Sequence, residues 1–207
     1  ILTGYGSATT SGILSMRTHD AGTAGDSGYI VLSTGKTTKG NSGALFIGSG
    51  TATSGRSGSV YVTVGSGDSG SGGEMYMAAG SSSGATGGRL TIVSGIGGDT
   101  TSGALVLATA KAGTAGVSGL AILSTGAATK GNSGALYIGS GDAVKGRSGS
   151  VYVSAGEGDS GDGGQILLFA GTASAGTGGR ISILTGYGSA TTSGILSMRT
   201  HDAGTAG

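Results

Sequence analysis

Two small groups of side chains in this sequence are of types that could do chemistry. The first is acidic: Asp142, Glu157 and Asp159, in or near the stretch Gly156-Glu157-Gly158-Asp159-Ser160-Gly161-Asp162-Gly163-Gly164. Carboxylates at this density suit a hard cation such as calcium, which takes about six to eight oxygen ligands. Asp142 and Glu157 hold equivalent places in successive repeats and would lie about 4.8 Å apart if the repeats coil one upon the next. Lys145 and Arg147 are close enough in sequence to balance the same charge. A calcium coil carries its aspartates in turn after turn, and the neighbouring repeats lack them. These three residues are therefore an incomplete metal site. The second group is His19-Asp20, which recurs as His201-Asp202. An imidazole beside a carboxylate can shuttle protons or ligate a metal, but the intervening copy of this position reads Ala110-Lys111. No nucleophile with its own base accompanies either histidine, as catalytic geometry would require. Glycines abound, yet no Gly-Lys-Ser/Thr opens a helix to cradle a phosphate. The expectation is no enzyme, no catalytic residue and no cofactor.

What would position any of these residues is a repeat. The stretch Ser57-Gly58-Ser59-Val60-Tyr61-Val62-Thr63-Val64-Gly65 returns along the whole chain, for example as Ser27-Gly28-Tyr29-Ile30-Val31-Leu32-Ser33-Thr34-Gly35 and Ser42-Gly43-Ala44-Leu45-Phe46-Ile47-Gly48-Ser49-Gly50. Each rung has fifteen residues, except for sixteen in 13–28 and 104–119. Six rungs make a 91-residue block: 13–103 aligns with 104–194 without a gap, and 183–207 repeats 1–25 identically. The chain starts and stops in mid-rung with no polar capping repeat, which suggests one segment, 1–207, of a longer array.

Composition narrows the class. Of 207 residues 50 are glycine, none is proline, cysteine or tryptophan, and the net charge is +1. Collagen is excluded because glycine does not fall on every third position. Large apolar residues in register argue against simple disorder. No basic stripe invites nucleic acid, and no apolar run approaches the roughly 20 residues needed to span a bilayer. Without cysteine, disulfides contribute nothing.

Numbering each rung from the residue after its Ser-Gly or Gly-Gly doublet exposes columns. The last position is always glycine, and position seven is glycine outside the long rungs. Such glycines mark corners that need positive φ or close backbone approach. Positions two and four are large and apolar, a period-two pattern that reads as a strand. The expected solenoid core includes Leu45, Ile47, Val60, Val62, Leu90, Ile92, Leu136, Ile138, Val151 and Val153. Its opposite wall would be the small residues at position nine, Thr37, Ala52, Gly67, Ser82, Gly97 and Ala112. One rung buries too little to offset the ordering of its backbone, so stability should come from stacking. The expected fold is all-β, a parallel β-solenoid of two or three short sheets. Position three should face outward, yet it carries Phe46, Tyr61, Tyr76, Tyr137, Tyr152 and Leu167. An apolar stripe of that length on an outer face suggests a lateral interface between copies.

The Ser-Gly-x-φ-x-φ-x-x-Gly unit (φ a large apolar residue), with joints such as Ala112-Gly113-Thr114-Ala115-Gly116-Val117-Ser118-Gly119, resembles the Gly/Ser/Thr/Ala-rich tandem-repeat surface proteins predicted in diatoms and other unicellular algae. The resemblance spans the whole chain and implies an extracellular or cell-surface location, with no site residues to transfer. The functional expectation is a structural protein forming a filament or surface fibre. Its partner would be itself, end to end by rung stacking and side by side, with Ser and Thr open to glycans. The alternative is an ice-binding or mineral-adhesion solenoid, for which Thr51-Ala52-Thr53 is a single threonine instance without a continuing rank.

Overall fold

The computed structural model describes residues 1–8, 10–159 and 161–201. The chain divides into two units, Ile1–Leu105 and Val106–Gly207, the division falling beside the sequence joint at Gly103. The piece that recurs within each unit is a loop that closes on itself inside one rung.

Each loop has a bend at its tip. In the first unit the bends lie at 23–25, 38–40, 53–55, 68–70, 83–85 and 98–100. In the second they include 114–115, 129–131, 144–146, 174–176 and 189–191. The sequence period is thus also the structural period, and the added residue of a long rung simply delays its bend by one. Positive φ occurs at the third bend residue, in Gly25 (114°), Gly40 (112°), Gly55 (126°), Gly70 (81°), Gly131 (132°) and Gly161 (89°). That backbone region is costly for any residue with a Cβ. The corners predicted for the position-seven and last-position glycines therefore fall elsewhere, at position twelve, or thirteen in the long rung that holds Gly25.

Most of the last-position glycines serve a different need, which is close approach at the neck of the loop; Gly43, Gly119 and Gly134 have ordinary contact distances of 3.5–3.6 Å. A Cβ on Gly28 would meet the Thr18 side chain at 3.0 Å, and one on Gly73 would meet Val64 at 2.6 Å. The second unit repeats this, with Gly149 against Ser140 at 3.2 Å and Gly164 against Ala155 at 3.0 Å. Two kinds of hydrogen bond shut the neck in most rungs, while the necks at Gly73, Gly119 and Gly134 show neither. In one, the amide of the last glycine donates to the carbonyl of the position-seven glycine: Gly12 to Gly4 (3.1 Å), Gly88 to Gly80 (2.8 Å) and Gly103 to Gly95 (2.9 Å) in the first unit. Gly164 to Gly156 (3.3 Å), Gly179 to Gly171 (2.8 Å) and Gly194 to Gly186 (2.9 Å) do the same in the second. In the other, a position-six hydroxyl donates to the carbonyl of the last glycine.

The expected all-β parallel β-solenoid is not what the chain forms. Among the described residues there is neither helix nor strand, and the six backbone hydrogen bonds outside regular elements each join two ends of a single loop. Nor is there a core. Leu45, Ile47, Val60, Val62, Leu90, Ile92, Leu136, Ile138, Val151 and Val153 are all exposed, and no described side chain is buried. The expected alternation survives only as a bias: position two is 46–57 % exposed, from Met75 to Leu90, whereas Phe46 and Tyr137 at position three reach 92 %.

Two physical reasons account for the difference. Polar groups at the rung ends bond across their own neck, a closure over eight residues that costs less chain entropy than a longer one. The residues cast as an opposite wall are also too small to cover a leucine, and of the six named only Gly97 and Ala112 are even half-buried. At Gly97 a Cβ would stand 2.5 Å from the Thr101 carbonyl oxygen, so the wall folds into its own loop. The whole chain presents 21138 Å² of accessible surface. A folded monomer of this mass presents about 8,500 Å² and an extended chain about 28,000 Å².

Alanine substitution separates the two glycine columns. A Cβ at Gly88 meets Gly80 backbone atoms at 3.1 and 3.3 Å, whereas at Gly80 nothing lies within 4 Å. Gly88→Ala should open the neck and speed hydrogen exchange of the residue-88 amide by about two- to tenfold, the worth of one hydrogen bond. Gly80→Ala should leave that amide unchanged. Equal exchange in the two variants would show that the neck contact is not what holds the loop.

Candidate functional site

The structure disperses the residues singled out for chemistry. His19, Asp20 and His201 are exposed, while Asp202 lies outside the described residues. Asp142, Glu157 and Asp159 are likewise exposed, and Ser160, which follows Asp159, lies outside the described residues. Among the described residues no group of three His, Cys, Asp or Glu side chains comes together that could hold a metal ion.

What the loops do bring together is hydroxyls and carbonyls. Thr18 Oγ1 donates to the Gly28 carbonyl at 3.1 Å, Thr34 Oγ1 to that of Gly43 at 3.1 Å and Ser49 Oγ to that of Gly58 at 2.7 Å. In the second unit Ser140 Oγ reaches the Gly149 carbonyl at 2.8 Å. The rungs of Ala79, Ala155 and Ala170, which have no hydroxyl at position six, are all closed by the backbone bond instead. Smaller hydroxyl bonds trim the tips: Thr37 Oγ1 donates to the Lys39 carbonyl at 3.2 Å, and the Ala85 amide donates to Ser82 Oγ at 3.0 Å. A shallow, polar depression in the first unit is lined by Thr34, Lys36, Thr37, Asn41, Ser81 and Ser82. It is wide open to solvent and holds no buried polar group, so it offers a ligand nothing that the rest of the surface lacks.

The largest feature is apolar. Position three presents Phe46, Tyr61 and Tyr76 in the first unit and Tyr137, Tyr152 and Leu167 in the second, all exposed. Their neighbours at positions two and four are exposed as well. A soluble monomer rarely shows apolar surface on this scale unless something binds there. No family model, curated protein or solved structure matches this chain. Among the described residues no helix is long and apolar enough to cross a membrane.

Sequence reasoning passed over position six. The signal was present, since Thr3, Thr18, Thr34, Ser49, Ser94, Thr109, Thr125, Ser140 and Thr185 all stand there. Small hydroxyl residues that bond nearby backbone have a known preference for such turns. The column was masked by a composition in which Ser and Thr are common everywhere.

Thr34→Val keeps the shape of the side chain and removes the donor, while Thr34→Ser keeps the donor. The first should shift the Gly43 carbonyl carbon resonance and weaken the loop by about 0.5–1.5 kcal/mol, with an exposed bond at the low end. The second should do neither. Identical spectra for the two variants would rule out the hydroxyl latch.

Proposed function

We propose that this chain is a structural protein whose copies associate side by side and end to end into an extracellular filament or surface fibre. The observation that carries the reading is the uncovered apolar surface. No described side chain is buried, and burial of apolar area is the main free energy available to offset chain ordering. A lone copy has little of it. The surface exposed beyond that of a folded monomer, about 12,600 Å², is many times the roughly 800 Å² per partner of an ordinary interface. It therefore supports an assembly of many contacts rather than a simple dimer. The net charge of +1 offers little repulsion against association. Stacked β rungs form no part of this reading. Its extracellular setting rests on the likeness of the Ser-Gly units to algal surface proteins.

Sedimentation and electron microscopy across a concentration series test it. The chain should pass from monomer to fibre. Phe46→Lys, Tyr61→Lys, Tyr137→Lys and Tyr152→Lys should each cost about 1.5–3 kcal/mol of burial, raising the concentration for assembly by roughly ten- to a hundredfold. Val144→Lys, at an exposed bend, should leave it unchanged. A chain that stays monomeric at every concentration and depresses the freezing point with hysteresis would instead favour the ice-binding alternative.

A further inference from the structure

We infer that the position-three tyrosines are sites of oxidative cross-linking, joined between copies as dityrosine by a haem peroxidase with hydrogen peroxide. All seven tyrosines of the chain are exposed, from Tyr76 at 80 % to Tyr137 at 92 %. Four of them, Tyr61 and Tyr76 and then Tyr137 and Tyr152, form pairs in successive rungs, once in each unit. Each stands between two apolar residues, as in Val60-Tyr61-Val62, Met75-Tyr76-Met77, Leu136-Tyr137-Ile138 and Val151-Tyr152-Val153. Apolar flanks on both sides bring these rings, more than the others, against a second copy. The remaining three, Tyr5, Tyr29 and Tyr187, have a glycine on at least one side. This placement rests on the self-association proposed above.

The chemistry has few competitors here. The chain has no cysteine and no tryptophan, so disulfides cannot lock an assembly and no indole or thiol intercepts a phenoxyl radical. The peroxidase takes one electron and one proton from each of two phenols, reducing one hydrogen peroxide to two waters. The two phenoxyl radicals join through a new carbon–carbon bond between ring positions ortho to oxygen. Each ring then returns the hydrogen on its coupled carbon to its own oxygen, restoring both phenols. Two C–H bonds are thus exchanged for one C–C bond, and the pair loses two hydrogens overall. Peroxide alone follows another route and transfers oxygen to methionine, for which Met75 and Met77 are exposed.

The full chain is assembled, assembly is recorded by sedimentation, and the sample is treated with peroxidase plus peroxide or with peroxide alone. Covalent oligomers on a denaturing gel, dityrosine fluorescence and peptide maps linking Tyr61, Tyr76, Tyr137 or Tyr152 of separate copies are expected only with the enzyme. Replacing these four tyrosines by phenylalanine keeps the ring and its apolar contacts, so assembly should persist while the covalent oligomers are lost. The triple variant Tyr5→Phe, Tyr29→Phe and Tyr187→Phe should cross-link like the parent. Normal assembly without enzyme-dependent cross-links, or links spread evenly over all seven tyrosines, overturns the inference and leaves the fibre reading standing. A chain that shows no assembly before treatment overturns both.

Discussion

The neck contact between the last glycine of a rung and the residues at positions six and seven is the constraint on which the rest depends. It brings two stretches of backbone together so closely that a Cβ on Gly164 would stand 3.2 Å from the Gly156 carbonyl oxygen. That approach lets a hydroxyl or an amide seal the loop: Ser49 onto Gly58 at 2.7 Å, Gly179 onto Gly171 at 2.8 Å. The two seals are alternatives at the same place, so a rung that carries alanine at position six still closes. The bend opposite the neck turns on a glycine with positive φ in six rungs, and in others it is made without one, as at 83–85 and 98–100.

A chain built this way meets its local backbone needs locally, and that has a consequence for its side chains. Closure inside a rung leaves the aliphatic residues of positions two and four without an opposite layer. Met75, the most covered of the position-two residues, remains 46 % exposed. The hydrophobic free energy of the sequence is therefore largely unspent in a single copy. Exposed apolar residues at regular intervals and a net charge of +1 leave a single copy with little to order it.

Much of the organisation was legible in the residues. The period and the added residue of the long rungs emerge in the spacing of the bends. The invariant last glycine was readable as a corner or a close approach; a Cβ would be crowded at Gly28, Gly88 and Gly164, whereas at Gly43, Gly119 and Gly134 it would make ordinary contact at 3.5–3.6 Å. The architecture was not. Alternation of Leu45, Phe46 and Ile47 is the same pattern whether a layer covers it or not, so strand-like periodicity could not report that the covering wall is missing. Gly67 and Gly97 in that wall look like small packing residues, whereas Gly97 lies close against the Thr101 carbonyl of its own loop. The position-six latch hid for a different reason: Ser and Thr saturate the sequence, and only the geometry picks out those that bond.

The claim at the centre is that leucine, isoleucine and valine side chains lie uncovered in a solitary copy. Methyl resonances recorded on a dilute sample with a soluble paramagnetic probe measure this directly. Uniform broadening across Leu45, Val60, Leu90 and Leu136 is the predicted result. A subset of those methyls sheltered from the probe at high dilution would reveal an internal core and contradict the account.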